Sequence, residues 1–332
     1  MSKLNNAATT PEEFNELAKV IDDLSNIANM RAYAEWLASN GMSERAETLT
    51  AVLDAWESGE EDLPSSEDDL IWQNTCGITV LHMLRRGEMD DHATALLAMA
   101  RPSLVVGQVA AVDPVPVGAS KFGGSPDLPP DTEWPKYNEL PMVFVGQIAM
   151  NDLKGTLVSR ELPASGWLSF FVYDNPVEGE VAAFGEPAGC AVLHFPEGTK
   201  LERRQSPEPG DAFFVATECE LEFTETLDFP YLSDDGIGGD RASKLGFDPD
   251  DEYEELLEEL LPNREEVTHL MGWSHPNCAG DDPVDPDHRH LLSVASQEAS
   301  DFCWSDAHTL YFSVPETDFK SHKFDNASAI DG

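Results

Sequence analysis

Basic side chains are scarce in this sequence: 20 Lys and Arg stand against 63 Asp and Glu among 332 residues, a formal net charge of −43. Binding to a nucleic-acid backbone draws most of its free energy from Lys and Arg displacing counterions, so no nucleic-acid partner is expected. The five cysteines, Cys76, Cys190, Cys219, Cys278 and Cys303, are widely spaced and form no CxxC pair. That pattern argues against a disulfide framework and agrees with a reducing compartment. No run of eighteen apolar residues occurs, and the opening MSKLNNAATT places no apolar segment behind a basic start. Neither membrane insertion nor secretion is expected, which leaves a cytoplasmic location. The motifs that organise nucleophiles, phosphates or catalytic zinc are also missing: GxSxG, GxxxxGK[ST], GxGxxG after a strand, and HExxH. Without them no catalytic residue and no cofactor is assigned.

What the chain does have is a core-forming share of apolar residues, 41%, and acid spread along its whole length. Residues 1–102 hold 19 acidic and 7 basic side chains, and residues 103–332 hold 44 and 13, nearly the same net charge per residue. A dense carboxylate surface keeps a protein solvated and monodisperse. It can equally steer a basic protein partner. The even spread favours the first reading and leaves the second open.

The first hundred residues read as helices. Thr10 before Pro11, with Glu13 at capping-box spacing, starts a helix whose Phe14, Leu17, Ile21 and Leu24 share one face. A second helix is expected over 30–40, ending at Gly41, and a third over 43–57, stopped by Gly59. After an acidic linker at 60–69, helical spacing resumes over 70–86 and 90–100, and Arg101-Pro102 closes the segment. This sets an expected boundary: a helical accessory domain over 1–102, and a second domain over 103–332 entered by a strand at 104–112.

The second domain is expected to be α+β, largely antiparallel and internally duplicated. Residues 141–148 and 166–173 are apolar runs rich in Val, Ile and Phe between Gly and Pro, as buried strands are. Ahead of them an arm over 122–135 carries Gly123-Gly124 and four prolines, and it needs aromatic anchors such as Phe122 and Trp134 to fix it. Further strands are expected at 188–195 and 212–223, a loop at 233–240, and an acidic helix at 250–261 burying Tyr253, Leu256, Leu257, Leu260 and Leu261. The final third then echoes the earlier order. Residues 271–276 parallel 122–126, 290–295 parallel 142–148, and 309–314 parallel 167–172.

Several stretches carry a family likeness. KFGGSPDLP from Lys121, EWP from Glu133, FVGQI from Phe144 and LPxxGxLxFF from Leu162, with HLMGW from His269, HLLSV from His290 and TLYFSV from Thr309, resemble the bacterial YwqG-like domain over roughly residues 103–325. The resemblance implies an α+β domain with antiparallel sheets, has no settled activity attached to it, and brings no catalytic residues. It also implies a paired-glutamine feature, of which Gln147 is one member. In the second half Ser293 or Ser296 stands where the other glutamine belongs, and Gln297 falls late. Near the start, YAEWL from Tyr33, Gly41 and RAE from Arg45 resemble a short helical module that accompanies repeat domains in some bacteria. The helix-packing reading of Tyr33 and Trp36 is preferred.

Six of the nine histidines lie between His269 and His322. The group His269, His275, Cys278, His288 and His290 invites a zinc reading. Its separations match no standard ligand pattern, and the Asp-rich insert at 281–287 suits a hard cation instead. Unligated histidines are therefore expected, as is a plain turn around Asp234, Asp235 and Asp240. The functional expectation is a non-enzymatic protein that binds a protein or peptide, one class of which is basic, through Phe122, Trp134, Gln147, Trp167 and Trp273. A metal-dependent enzyme or hydrolase built on 269–290 and an acidic immunity-type inhibitor of a basic toxin are the alternatives. Nothing in the sequence sets an oligomeric state.

Overall fold

A computed structural model of the protein describes residues 3–60, 69–87, 89–173, 189–207, 215–233, 236–246, 251–260, 266–276, 282–305 and 307–332. The helices come first, after a short strand β1 (Lys3–Asn5). In α1 (Pro11–Ile21) the Thr10 side chain accepts the Glu13 N–H at 3.1 Å, as the capping signal implies. The Glu13 carboxylate turns back one residue farther than a standard box, to Thr9 N at 2.6 Å, because its other oxygen is held by Arg45 and Tyr33. Next come α2 (Ile27–Ser39) and α3 (Ser43–Ser58), the latter ended by Gly59 at φ +76°. The expected single helix over 70–86 breaks into α4 (Leu70–Thr75) and α5 (Ile78–Arg86) at Gly77, whose φ of +84° a helix cannot contain. The one expected over 90–100 is shorter, a 3-10 turn followed by α6 (Ala93–Leu97). The acidic linker lies outside the described residues over 61–68.

The sheet begins earlier than expected. Strand β2 (Arg101–Ala110) takes in Arg101 and Pro102, because it pairs over its full length with β11 (Cys219–Asp228), from Arg101 opposite Asp228 to Ala110 opposite Cys219. Between them run β3 (Lys121–Phe122), β4 (Asp127–Leu128), β5 (Lys136–Tyr137), β6 (Leu140–Pro141), β7 (Val143–Ala149), β8 (Trp167–Val172), β9 (Cys190–Phe195) and β10 (Glu202–Arg203). After β11 come α7 (Gly236–Leu245), α8 (Asp251–Leu260), β12 (His269–Met271), β13 (His288–Ala295), β14 (Thr309–Pro315), α9 (Glu316–Phe319) and β15 (Ser328–Asp331). Two expectations move here. The strand placed at 212–223 sits at Cys219–Asp228, and the loop placed at 233–240 is helical from Gly236 on. In α7 the glycines are packing residues: a Cβ on Gly238 would stand 2.4 Å from Ser233 Oγ, so close approach outweighs poor helix propensity.

The main sheet has eleven strands in the order β15-β14-β13-β12-β2-β11-β3-β7-β8-β9, with β1 added in parallel to β11 and every other pairing antiparallel. Its two ends approach each other, and Cys190 Sγ on β9 donates to Ala327 O, just ahead of β15, at 3.3 Å, so the sheet is nearly closed. The duplication is plain in this order. In chain order the first series is β2, β3, β7, β8, β9 and the second is β11, β12, β13, β14, β15, with the two leading strands exchanged so that β11 abuts β3 and β2 abuts β12. Even the bulges correspond, between Phe144 and Gly146 in β7 and between His290 and Leu292 in β13. Pairing aligns Lys121 with His269 and Phe122 with Leu270, one position away from the alignment read from sequence, and it makes Ser293 the counterpart of Gln147.

One core fills the sheet interior, including Phe122, Phe170, Phe223 and Phe312. A second joins the N-terminal helices to Tyr253, Leu256, Leu257 and Leu260 of α8, so helices far apart in the chain share one core. Full burial of each such side chain is worth about 1.5–3 kcal/mol.

Candidate functional site

Two corresponding arms leave the sheet, one after β3 and one after β12, and both begin with two residues in left-handed backbone: Gly123 and Gly124 at φ +63° and +65°, Met271 and Gly272 at φ +64° and +79°. Both turns abut β11: a Cβ on Gly124 would meet Glu218, just ahead of that strand, and one on Gly272 would meet Asp228 at its far end.

The first arm is held by ions and amides that satisfy one another. The Lys121 ammonium, fully buried, donates to Ser125 O (2.5 Å) and to Glu218 (2.9 Å). The Arg203 guanidinium enters from β10 and donates to Asp127 (2.6 Å), Glu218 (3.1 Å) and Val115 O (2.6 Å). Gln147, 1% exposed, accepts from Asp127 N (3.0 Å) and donates to Asp127 (2.8 Å) and Ala119 O (2.8 Å). None of these side chains leaves a buried polar atom unpartnered. Burial lowers the Lys121 pKa, opposed by the hydrogen bond to Glu218. Three of the aromatics expected to anchor a partner belong to this half of the molecule. Phe122 is fully buried, seated on Gly146 so closely that a Cβ there would fall 2.1 Å from its ring. Trp134 is buried edge-on to Phe171 and donates to Met142 O at 2.8 Å. Trp167 is half-buried and donates to Gly118 O at 2.7 Å.

In the second arm imidazoles replace the ion pairs. Asp228 accepts from Phe229 N (2.9 Å) and Trp273 N (2.6 Å), and its first oxygen lies 2.8 Å from His275 Nε2. His269 turns both ring nitrogens toward carbonyl oxygens, Val267 at 3.2 Å and Trp273 at 2.7 Å. His290 lies 3.1 Å from Met271 O and 2.8 Å from Ser293 Oγ, and its ring is centred 4.9 Å from that of His269. Burial lowers the pKa of His269 and, with His269 beside it, drives that of His290 well below the ordinary histidine value. Burial alone would raise the Asp228 pKa, but His275 and His269 outweigh it and the net shift is downward. His275 Nδ1 is buried without a partner among the described residues. Asp228, His269 and His275 thus offer ligand atoms within 4.8 Å of one another, and Asp285, Asp287 and His288 do the same at the surface. Cys278 lies outside the described residues.

In front of this cluster is a cavity of about 180 Å³. Its walls come from Arg101 at the start of β2, from Ile237, Asp240, Arg241 and Lys244 on α7, from Trp273 and Ser274 on the arm, and from Val284, Pro286, His288 and His290. The half-buried Trp273 ring lies between two guanidiniums, Arg101 at 3.3 Å and Arg241 at 4.7 Å from its centroid, and its Nε1 donates to Met99 O at 2.9 Å. Arg241 is paired with Asp282. The Arg101 side chain has no hydrogen-bond or ion-pair partner among the described residues. Burial, then the charge of Arg289, push its pKa down to about 9, against the opposite pull of Glu161 and Glu316, so it stays charged at neutral pH.

The structure therefore brings together His269, His275, His290 and Trp273, places His288 on the cavity rim, and leaves Phe122, Trp134, Gln147 and Trp167 in the other half. Arg101, Asp228 and Arg241 escaped the sequence reading. The one available signal was rarity, since each basic side chain in so acidic a chain stands out. Residues 120–330 match the family described as "Domain of unknown function (DUF1963)". The match takes in more than half of the chain, so the protein belongs to that family. No curated protein matches it.

Proposed function

We propose that this family member, of the YwqG-like kind, is a non-enzymatic cytoplasmic binding protein that takes a protein or peptide partner at its second arm. One observation carries the reading: the first arm satisfies its buried charges internally, whereas the second leaves the Arg101 guanidinium unpaired beside an accessible cavity. A half-buried guanidinium that faces a cavity without an ion-pair partner is a ready counter-charge for an anionic group on a ligand. The cytoplasmic part of the proposal is supported by Cys76, Cys190, Cys219 and Cys303, all free thiols. Affinity capture from the source cell tests the reading, with the wild-type protein, Trp273→Ala and the exposed-site control Leu140→Ala compared side by side. A protein retained by wild type and by the control, and lost with Trp273→Ala, is the expected result. An identical set retained by all three would sink it.

A second reading has its own observation. A neutral His269 can donate to only one of its two facing carbonyls, and His275 Nδ1 has no partner, so a divalent ion at Asp228, His269 and His275 would use nitrogen lone pairs that protons leave idle. Zinc accepts such a donor set. Elemental analysis of untagged protein decides: about one equivalent favours a metal centre, and less than about a tenth removes it.

A further inference from the structure

We infer that the second-arm cavity is a carboxylate site, in which Arg101 receives a single carboxylate borne on a small apolar group. The inference rests on the binding reading above and names the chemistry that the site takes.

Arg241 is compensated by Asp282, and Arg289, which faces Arg101, by Glu161. Lys244 and Asp240 stand one turn apart on α7 and both line the cavity. Glu316 is paired with Lys320 at 3.2 Å. Of the three guanidiniums, that of Arg101 alone has no ion-pair partner among the described residues. A monoanion neutralises it, whereas a phosphate dianion would bring surplus negative charge against Asp240, Asp282 and Glu161.

Shape points the same way. With its Cζ 3.3 Å from the Trp273 ring centroid, the guanidinium keeps N–H groups that no acceptor among the described residues occupies. That planar fork matches the two oxygens of a carboxylate. Beside it Ile237, Val284 and Pro286 supply apolar wall. The volume, about 180 Å³, is enough for a carboxylate and a short aliphatic group. A peptide C-terminal residue and a free short-chain carboxylic acid share this chemistry.

Calorimetry on the full chain tests it with four probes: N-acetyl-L-alanine, its amide, isobutyrate and inorganic phosphate. The acids should bind, the amide should bind at least tenfold more weakly than N-acetyl-L-alanine, and phosphate more weakly than either acid. N-acetyl-L-alanine binding more tightly than isobutyrate identifies a peptide terminus, and the reverse identifies a free acid. Arg101→Gln should weaken acid binding at least tenfold, with Arg101→Lys recovering part of it. Since the Arg101 side chain makes no hydrogen bond to the described residues, the melting temperature of both variants should stay within a few degrees of wild type. The acid and amide arms use wild-type protein and stand even if a variant fails to fold. Equal binding of acid and amide, tighter binding of phosphate, or unchanged affinity in Arg101→Gln would overturn the inference. If the acids do not bind but a Trp273-dependent partner is captured, the carboxylate assignment falls and the binding reading survives.

Discussion

The two arms share a backbone path and differ in what they bury. After β3, Lys121, Asp127, Gln147, Arg203 and Glu218 close on one another with every buried polar atom partnered. After β12 the corresponding space holds three imidazoles and Asp228, with an orphaned His275 Nδ1 and an unpaired Arg101 at its front. A satisfied polar network rigidifies, and a partly satisfied one is kept at a cost. The two halves of the duplication have thus diverged, one into a closed clasp and the other into the wall of a cavity.

The largest expected effect comes from breaking the clasp. Lys121→Ala leaves Glu218 and Asp127 with Arg203 as their one remaining cation and strips Ser125 O of its donor, which should cost about 3 kcal/mol in urea unfolding, as loss of one partner from a buried pair does. Should Lys121→Ala prove nearly neutral, the first arm is not the structural member of the pair. Next is Gly272→Ala. Its backbone is left-handed, and a Cβ would stand 2.4 Å from Asp228 Oδ2 and 2.9 Å from Ser103 Cβ, so about 2 kcal/mol should be lost together with the Trp273 N–H bond to Asp228.

A smaller effect is the pH dependence of the second arm. His269 and His290 have folded-state pKa values below the ordinary one, so the folded protein binds fewer protons than the unfolded chain under mild acid. Their contribution is complete above the ordinary histidine pKa of about 6.5 and is lost as pH falls below it, with a limiting slope of about 1.4 kcal/mol per pH unit for each ring. His290→Gln should flatten that slope in urea titrations between pH 7 and pH 5. A slope unchanged by His290→Gln would mean that the ring does not titrate as described. The smallest effect is general. As sodium chloride shortens the screening length from about 10 Å at 0.1 M to about 3 Å at 1 M, repulsion among the carboxylates should weaken and the melting temperature rise by a few degrees. A flat or falling curve would favour a partner-facing acidic patch instead.

The fold was legible where local rules govern it. Thr10 capping, the Gly59 stop, and the apolar stripe of α8 all follow from spacing and backbone chemistry. The strand sites at β7, β8, β13 and β14 and the repeat itself were also visible, because a buried strand needs a continuous apolar run. What escaped depends on distant partners. The early start of β2 is set by β11, over a hundred residues away, and the helical state of 236–240 by the close packing of Gly238 on Ser233. Among the candidate residues the histidines were visible by clustering. Asp228 was not, since it sits more than forty residues upstream in LDFPY, and no spacing rule connects it to His275.

Hydrogen exchange of the two arms, measured with and without saturating N-acetyl-L-alanine, tests the contrast most directly. Amides around Trp273 and Ser274 should gain protection while those of Gly123, Gly124 and Asp127, already slow in the free protein, do not change. Equal protection in both arms, or slowing confined to the first, would contradict the division of the molecule into a clasp and a binding site.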